Sequence, residues 1–185
     1  MSAFTRRGFL AAASAPVALA ACGNGVGSSG AQRIDARVDE AFNFMYDTLP
    51  DTQVLAGSAA GILMMPVMTK AGFGFGGSYG RGALRIDEVT VDYYSTASAS
   101  LGLQIGAQQF SHALFFMTQP ALQNFRTSPG WVAGADLEYA VKTNSRSLTT
   151  DTTALLTPVV AVVFGQAGLI AGASLEGQKY TRILP

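Results

Sequence analysis

The apolar positions of residues 33–49 recur at steps of three and four, which predicts an amphipathic helix. They are Ile34, Val38, Phe42, Met45 and Leu49, and Pro50 ends the pattern. The polar side of this segment carries two arginines and four acidic residues. Two interpretations stay open: the helix lies on a lipid surface, or it covers one end of a β core. The second is favoured because surface-binding helices usually carry Lys and Arg on their polar side.

From residue 57 onward the hydrophobic period changes from 3.6 to two, which predicts strands. Alternation is clearest in "GFGFGGSYG", "EVTVDYYSTASAS" and "SLGLQIGAQ", and "HALFFMT" and "WVAGADLEYAVKT" continue it. Glycines on one face of several strands indicate a bend or a close backbone approach. Pro120 stands at a helix-start position before Ala121, Leu122 and Phe125. The predicted fold is mainly β (α+β). It consists of a curved, glycine-rich antiparallel sheet or small barrel, an N-terminal amphipathic helix and one short inserted helix near residues 120–126.

Residues 158–175 form an apolar run that contains a G-x-x-x-G, the motif of paired membrane helices. The run is short for a membrane span and is rich in β-branched valines. The Gly-Gln-Ala-Gly inside it is a turn signal. Buried strands are therefore favoured over a transmembrane helix.

The first residues have the organisation of an export signal. Paired Arg6 and Arg7 precede an alanine-rich apolar stretch that ends in Leu-Ala-Ala-Cys22. The order Thr-Arg-Arg-x-Phe-Leu resembles the twin-arginine signal, and Leu-Ala-Ala-Cys resembles the lipobox, in which the cysteine is acylated. We expect a signal peptide at 1–21, a flexible Gly/Ser tether at 22–32 and one domain at 33–185. The alternative is an ordinary signal peptide with a chance cysteine.

Gly23 follows Cys22, where an aspartate would be the usual inner-membrane retention signal. The expected location is therefore the outer membrane, lipid-anchored and facing the periplasm, after export by the twin-arginine route. Composition agrees with an envelope protein, because charged residues make up only 13% of the chain against a usual ~25%. Removing residues 1–21 takes away two arginines and no acids, which changes the net charge from zero to −2. A chain without basic excess is not expected to bind nucleic acid.

Lys70–Arg85 contains six glycines and one literal G-x-G-x-x-G, at Gly72, Gly74 and Gly77. A dinucleotide site needs a helix after these glycines, and the residues that follow are β-rich instead.

Cys22 and His112 are the only cysteine and histidine, so no metal site built from nitrogen and sulfur ligands is expected. Asp87, Glu88 and Asp92 offer oxygen ligands, although a solvated strand end is the simpler interpretation. Ser111 and His112 are adjacent in a strand and point to opposite faces. We expect no cofactor and no catalytic activity.

Four segments resemble the SYLF domain, in the family's order and with plausible gaps. They are "AAGILMMPVMTKAGFGFGGSYGRGAL", "YYSTASASLGLQIGAQQFSHALFFMTQPALQNFR", "WVAGADLEYAV" and "GLIAGASLEGQKYTRI". The resemblance covers residues 34–183, and its sharpest part is Gly168–Gly177. It implies a non-catalytic lipid-binding module. Eukaryotic members bind phosphoinositides, partly through an N-terminal amphipathic segment, and some bind actin; bacterial members are secreted or lipid-anchored envelope proteins.

The segment at 33–49 corresponds to that amphipathic segment but lacks its basic richness, so the phosphoinositide preference is not carried over. Actin has no place in a bacterial envelope. We expect the domain to bind membrane phospholipid through its apolar helix face and nearby cations, with weak dependence on salt. The candidate residues are Ile34, Val38, Phe42, Met45, Lys70, Arg81 and Arg85. For the three cations, exposed strand-edge positions are the competing interpretation. The alternative function is a structural envelope protein that binds a protein partner, with Cys22 as its only link to lipid.

Overall fold

The computed structural model describes residues 25–134, 139–142, 157–165, 168–169, 175 and 177–185. The predicted signal residues Arg6 and Arg7 and the predicted lipidation site Cys22 lie outside these ranges. The described part confirms a mainly β fold with helices. Its elements are α1 (Ser29–Thr48), α2 (Thr52–Ser58), β1 (Gly61–Ile86), β2 (Val89–Phe116), α3 (Gln119–Thr127), β3 (Trp131–Val132), β4 (Tyr139–Lys142), β5 (Val159–Gly165), β6 (Gly168–Leu169) and β7 (Lys179–Ile183).

One hairpin, formed by β1 and β2, is the main element of the fold. Its strands are 26 and 28 residues long, and they pair from Gly61–Phe116 to Ile86–Val89. The turn between them consists of Asp87 and Glu88, whose φ angles are 48° and 67°. Positive φ at both turn residues is the type I′ conformation, which matches the twist of the flanking strands. The separate strand segments predicted between residues 72 and 116 are therefore parts of two continuous strands.

The remaining strands attach to the free edge of β2 and curl the sheet into a half-barrel. β7 pairs with Tyr93–Ala97, and β5 pairs with Ser111–Phe116. These ladders are antiparallel, as predicted, but β4 runs parallel to β5. β5 occupies the first half of the apolar run at 158–175, so strands rather than a helix form there. Within the described residues, no helix is both long and apolar enough to cross a membrane.

Residues 61–68 and 80–85 of β1 lie against each other, and we call this contact the seam. A Cβ atom on Gly82 would overlap the carbonyl oxygen of Met64, and one on Gly80 would lie 2.8 Å from the carbonyl oxygen of Val67. Real Cβ atoms do not approach that closely, so only glycine fits at these two positions. Gly80 and Gly82 thus have the structural role predicted for the glycines of Lys70–Arg85. A helix does not follow the G-x-G-x-x-G, since β1 continues through it.

Two hydrophobic cores cover the two faces of the curled sheet. Along β1, Met64 belongs to the first core, whereas its neighbours Leu63 and Met65 belong to the second. β5 alternates in the same way, with Val160 and Val162 in the first core. Burial on both faces explains why these strands read as continuous apolar runs. The first core is covered by α1 and the second by α3.

α1 begins at Ser29, four residues before the predicted start. Ser28 caps it by accepting a hydrogen bond from the Ala31 amide at 3.0 Å. The Gly25 amide and the Ser28 hydroxyl both donate to the Pro185 carbonyl oxygen, at 2.9 and 2.8 Å. Residues 25–32 of the predicted flexible tether are therefore folded against the C-terminal end of the sheet. α2 was not predicted, whereas α3 lies where predicted and has Pro120 in its first turn.

A buried polar network lies within the second core. The Gln178 side chain accepts from Thr96 at 3.0 Å and donates to Ser78 at 2.8 Å, and Ser78 contacts Ser98. Beyond it, His112 is fully buried, with its Nε2 atom 2.8 Å from the Tyr180 hydroxyl. Among the described residues its Nδ1 atom has no hydrogen-bond partner. Burial lowers the pKa of His112 to about 3, because the charged imidazolium would lose its hydration.

Substitution of Gly82 by alanine should destabilise the fold by about 3 kcal/mol, the upper end of the range for overpacking, because the added methyl group meets backbone. Gly57→Ala is the matched control. Gly57 lies in α2 with open space around its Cβ position, so alanine should stabilise by about 0.5–1 kcal/mol there. Urea unfolding of both variants measures the difference. If Gly82→Ala and Gly57→Ala have the same free energy of unfolding, the close backbone approach at the seam is wrong.

His112 should make the protein less stable as the pH falls below 7. The unfolded chain protonates this side chain near 6.5, whereas the folded chain does so only near 3. The free energy of unfolding should therefore drop by about 2 kcal/mol between about pH 7 and pH 5. In His112→Gln, which keeps a partner for Tyr180, that drop should disappear. Urea unfolding across this pH range tests it, and an unchanged slope in the variant would assign the effect to other groups.

Candidate functional site

The four helix residues predicted to contact lipid are core residues. The side of α1 that faces the sheet buries all four, namely Ile34, Val38, Phe42 and Met45. The interpretation of this helix as a cover for the β core is therefore correct, and its apolar face is not available to a bilayer while α1 is docked. The physical reason is the sheet: the apolar face of α1 shares one core with Met64 and Ala83 of β1.

Arg85, a predicted headgroup ligand, is instead a link between β1 and α1. Its guanidinium lies 2.6 Å from the Asp39 carboxylate and 5.6 Å from the centre of the Phe42 ring. Its side chain is only 18% exposed. A second tie lies nearby, where the Asp35 carboxylate accepts from Thr90 and Tyr93 at 2.9 and 2.7 Å. These contacts fix α1 on the sheet. Arg85 is therefore already paired within the fold and is not available to a headgroup.

Arg81 and Lys70 lie in different surroundings. Arg81 is exposed, and its Nε atom donates to the Tyr79 hydroxyl at 2.8 Å. Lys70 stands opposite Gln108 in the hairpin and is half-buried. Arg81 lines a groove beside the first half of α1, whereas Arg85 lines a different depression near the hairpin turn.

We call this groove the arginine groove. It has a volume of about 430 Å³ and lies between the first half of α1 and the seam. Arg33 and Arg37 line it from α1, and Arg81 lines it from β1 together with Val67 and Tyr79. No carboxylate is among its described lining residues, and none of the three arginines is in an ion pair within the described part of the chain. Three cations thus line one groove together with two exposed apolar side chains.

Sequence reasoning missed Arg33 and Arg37. Four residues apart, they project from the same side of α1, next to the buried stripe. In the sequence they were counted with the acidic residues of the polar face, because nothing local shows which side of the helix meets the seam. The spacing alone identifies neighbours on a helix; the partner on β1 comes only from the fold.

A second groove, which we call the apolar groove, adjoins the arginine groove. It has a volume of about 710 Å³ and shares Arg37, Pro66, Val67 and Thr69 with the first. Phe44 of α1 stacks on Phe164 of β5 there, with ring centres 6.2 Å apart. Ala41 also lines it, and Glu40 is its one described carboxylate. The two grooves meet at the bulge of β1 around Pro66 and Val67.

A third depression, the acidic cleft, lies at the opposite end of α1. Its volume is about 890 Å³, and its described lining includes Asp39 and the turn residues Asp87 and Glu88. Burial and the neighbouring Glu88 charge raise the pKa of Tyr46, which also lines it. Three arginines thus line the groove beside the first half of α1, whereas Asp39, Asp87 and Glu88 line the cleft near the hairpin turn together with Arg85.

The three carboxylates considered as oxygen ligands are not grouped, which agrees with the favoured interpretation of a strand end. Asp92 is paired with Arg126 and Arg182, at 2.8 and 3.2 Å, whereas Asp87 and Glu88 lie in the hairpin turn. In the described residues, no three His, Cys, Asp or Glu side chains are grouped so that they could hold a metal ion. The Ser111 hydroxyl donates to the Pro66 carbonyl oxygen at 2.6 Å, on the opposite face from His112.

Comparison with protein families gives a match to the C-terminal half of the chain. Residues 97–182 match the family model described as "Ysc84: Las17-binding protein actin regulator". The match identifies a Ysc84 (SYLF) domain that includes these residues. No curated protein matches the chain significantly. The matched segment of the SYLF domain begins within β2 and ends within β7, so α1 and β1, which carry the three arginines, lie before it.

Proposed function

We propose that this protein is a non-catalytic envelope lipoprotein whose SYLF domain binds membrane phospholipid. Acylated Cys22 would hold it in the outer membrane, facing the periplasm, after twin-arginine export. The headgroup would bind in the arginine groove. The actin-related part of the family description is not carried over, because the export signal would send the domain out of the cytoplasm.

The observation that carries the proposal is the lining of the arginine groove. Guanidinium groups form strong, geometrically specific hydrogen bonds with phosphate oxygens. Arg33, Arg37 and Arg81 have no carboxylate partner in the described structure and so remain available for an anion. Val67 and Tyr79 beside them are 40% and 49% exposed. Cations next to exposed apolar groups suit the boundary between headgroups and acyl chains.

The position of the chain start also supports the proposal. Gly30 lines the arginine groove and packs against Pro185, to which Gly25 is hydrogen-bonded. Val26 and Leu184, the most exposed large apolar side chains described, flank this contact. Only three residue steps separate Gly25 from Cys22, a reach of roughly 10 Å in an extended chain. An acyl anchor at Cys22 would therefore hold the groove close to the membrane.

Electrostatic attraction should matter more than the net charge of −2 indicates. A cation near an anionic surface contributes about 1 kcal/mol, and no carboxylate is among the described lining residues of the arginine groove. The expectation of weak salt dependence assumed an apolar helix face as the binding element. With three arginines in its place, we expect binding to weaken clearly as salt screens them.

The alternative function, binding of a protein partner, is favoured by the acidic cleft. That cleft lies away from the end of α1 where the tether would emerge, so a protein partner could reach it while the domain stays on the membrane. The two functions use different surfaces and can be separated by experiment.

Arg33→Gln with Arg37→Gln should weaken binding to anionic vesicles by about 30-fold, from about 1 kcal/mol per cation. Both side chains are exposed, so the fold should be unaffected. The measurement is co-sedimentation of residues 22–185, carrying Cys22→Ser, with vesicles of phosphatidylglycerol and phosphatidylcholine. Vesicles of phosphatidylcholine alone provide the uncharged reference.

The matched control is Val54→Glu with Gln123→Glu, which lowers the net charge by the same two units at exposed positions on α2 and α3. The control should bind almost as the wild type does. If both double variants lose affinity equally, net charge and not the groove determines binding. If the wild type binds neither kind of vesicle, phospholipid binding is wrong and the protein-partner function takes its place.

Cys22→Ser in the full chain should release the protein from the membrane fraction of the cell envelope after a high-salt wash. The wash removes attachment through the arginine groove, whereas several acyl chains, at about 0.8 kcal/mol per buried CH₂, resist it. Fractionation followed by immunoblotting measures the change. Retention of the variant in the washed membranes would contradict acylation at Cys22.

A further inference from the structure

We infer that the domain holds one phospholipid molecule partly out of the bilayer, with its phosphate in the arginine groove and one acyl chain in the apolar groove. This inference rests on the proposed function and adds a mode of binding to it. Adsorption to a membrane surface would need the arginines alone. A second, apolar site for a chain makes the individual lipid the ligand.

Continuity of the two grooves is the first argument. Arg37 and the bulge residues Pro66 and Val67 line both of them. A ligand with an anionic group joined directly to a hydrocarbon chain therefore meets a cation and an apolar surface in adjoining spaces. Phospholipids have that chemistry. A free phosphate would leave the apolar groove unused, and a fatty acid would bring one carboxylate to three guanidinium groups.

The apolar groove offers apolar surface to a chain, with Thr69, Gln109 and Ser111 as polar neighbours. Phe44 is half-buried on α1, and its ring stacks on the buried Phe164 ring, with Ala41 one helical turn before it. Val67 stands 40% exposed at the junction with the arginine groove. The volume of about 710 Å³ lies within the usual range of ~300–1,000 Å³ for ligand sites. Glu40 is a charge that the headgroup should avoid, which favours the phosphate at the arginine side.

Pro66, in the bulge, has its polar backbone groups accounted for. Pro66 has no amide hydrogen to donate, and its carbonyl oxygen accepts from Ser111 at 2.6 Å. Pro66 therefore needs no polar ligand, and Val67 beside it lines both grooves. The apolar face of α1 cannot serve the chain instead, because Ile34, Val38, Phe42 and Met45 are already buried.

The test uses lipids that remain monomeric, so that no membrane surface is present. The probes are dihexanoyl- and diheptanoyl-phosphatidylglycerol below their aggregation concentrations, and the deacylated headgroup glycerophosphoglycerol. Titration calorimetry with residues 22–185 carrying Cys22→Ser measures each affinity. If one chain enters the apolar groove, each added CH₂ should raise the affinity by up to roughly fourfold. The deacylated headgroup should bind most weakly.

Phe44→Gln should abolish the dependence on chain length while leaving the weak binding of glycerophosphoglycerol unchanged. Tyr46→Gln is the matched control, since Tyr46 is also a half-buried aromatic residue of α1 but lines the acidic cleft. It should retain the dependence on chain length. Circular dichroism melts verify that both variants fold. Val67→Gln, at an exposed site on the bulge, is a second variant that does not depend on the packing of α1.

The outcomes separate the two proposals. Binding to anionic vesicles with equal affinity for both monomeric lipids and the bare headgroup would overturn the inference and leave the proposed function standing. Absence of binding to vesicles and monomers alike would remove both. Equal loss of chain dependence in Phe44→Gln and Tyr46→Gln would also overturn the inference, because the effect would then not belong to the apolar groove.

Discussion

The close approach of two stretches of one strand is the contact on which the rest of the structure depends. At Gly80 and Gly82 the backbone of β1 reaches the carbonyl oxygens of Val67 and Met64, where no side chain can be accommodated. The two ends of β1 can then lie side by side, so a hairpin of more than fifty residues is folded over on itself. β2 follows β1 along its whole length, and the sheet curls because its main hairpin does.

The seam also determines what α1 must do. Residues on both sides of it, such as Met64 and Ala83, face the same core and need a cover. α1 supplies that cover with one stripe of apolar side chains, at about 1.5–3 kcal/mol for each large one that is fully buried. Because Ile34, Val38, Phe42 and Met45 are buried in this way, the flanks of α1, and not its apolar face, become the walls of the grooves.

The sequence predicts the features that depend on local periodicity. The helix at 33–49, the period of two after residue 57 and the Pro120 helix start all follow from neighbours within one or two turns. Other features depend on distant partners. α2 has the sequence Thr-Gln-Val-Leu-Ala-Gly-Ser, which shows no clear stripe, and Leu55 is buried only because the sheet lies below it. The parallel pairing of β4 with β5 leaves no local pattern either.

The candidate site was predictable only in part for the same reason. Arg81 could be chosen because it flanks a glycine-rich strand, but Arg85, four residues later, is sequestered by Asp39 and Phe42. Nothing in the local sequence distinguishes the two. Arg33 and Arg37 became candidates only when the helix was placed on the seam. Which cation is available therefore depends on its contacts with residues distant in sequence. Neither the hydrophobic period nor the composition carries that information.

Different parts of the chain supply the sheet and the grooves, and this affects how binding must be measured. The segment matched to the SYLF family supplies most of β2, α3 and the strands that curl the sheet, whereas the grooves are lined mainly by α1 and β1 before it. On α1, Arg33 precedes the buried Ile34, and Arg37 precedes the buried Val38. Adjacent residues thus serve surface and core. The charge at exposed positions of α1 can change without disturbing the packing of α1 on the sheet. A change at the next residue, which is buried, alters stability and binding together. The affinity of a variant of this helix should therefore be interpreted together with its measured free energy of unfolding.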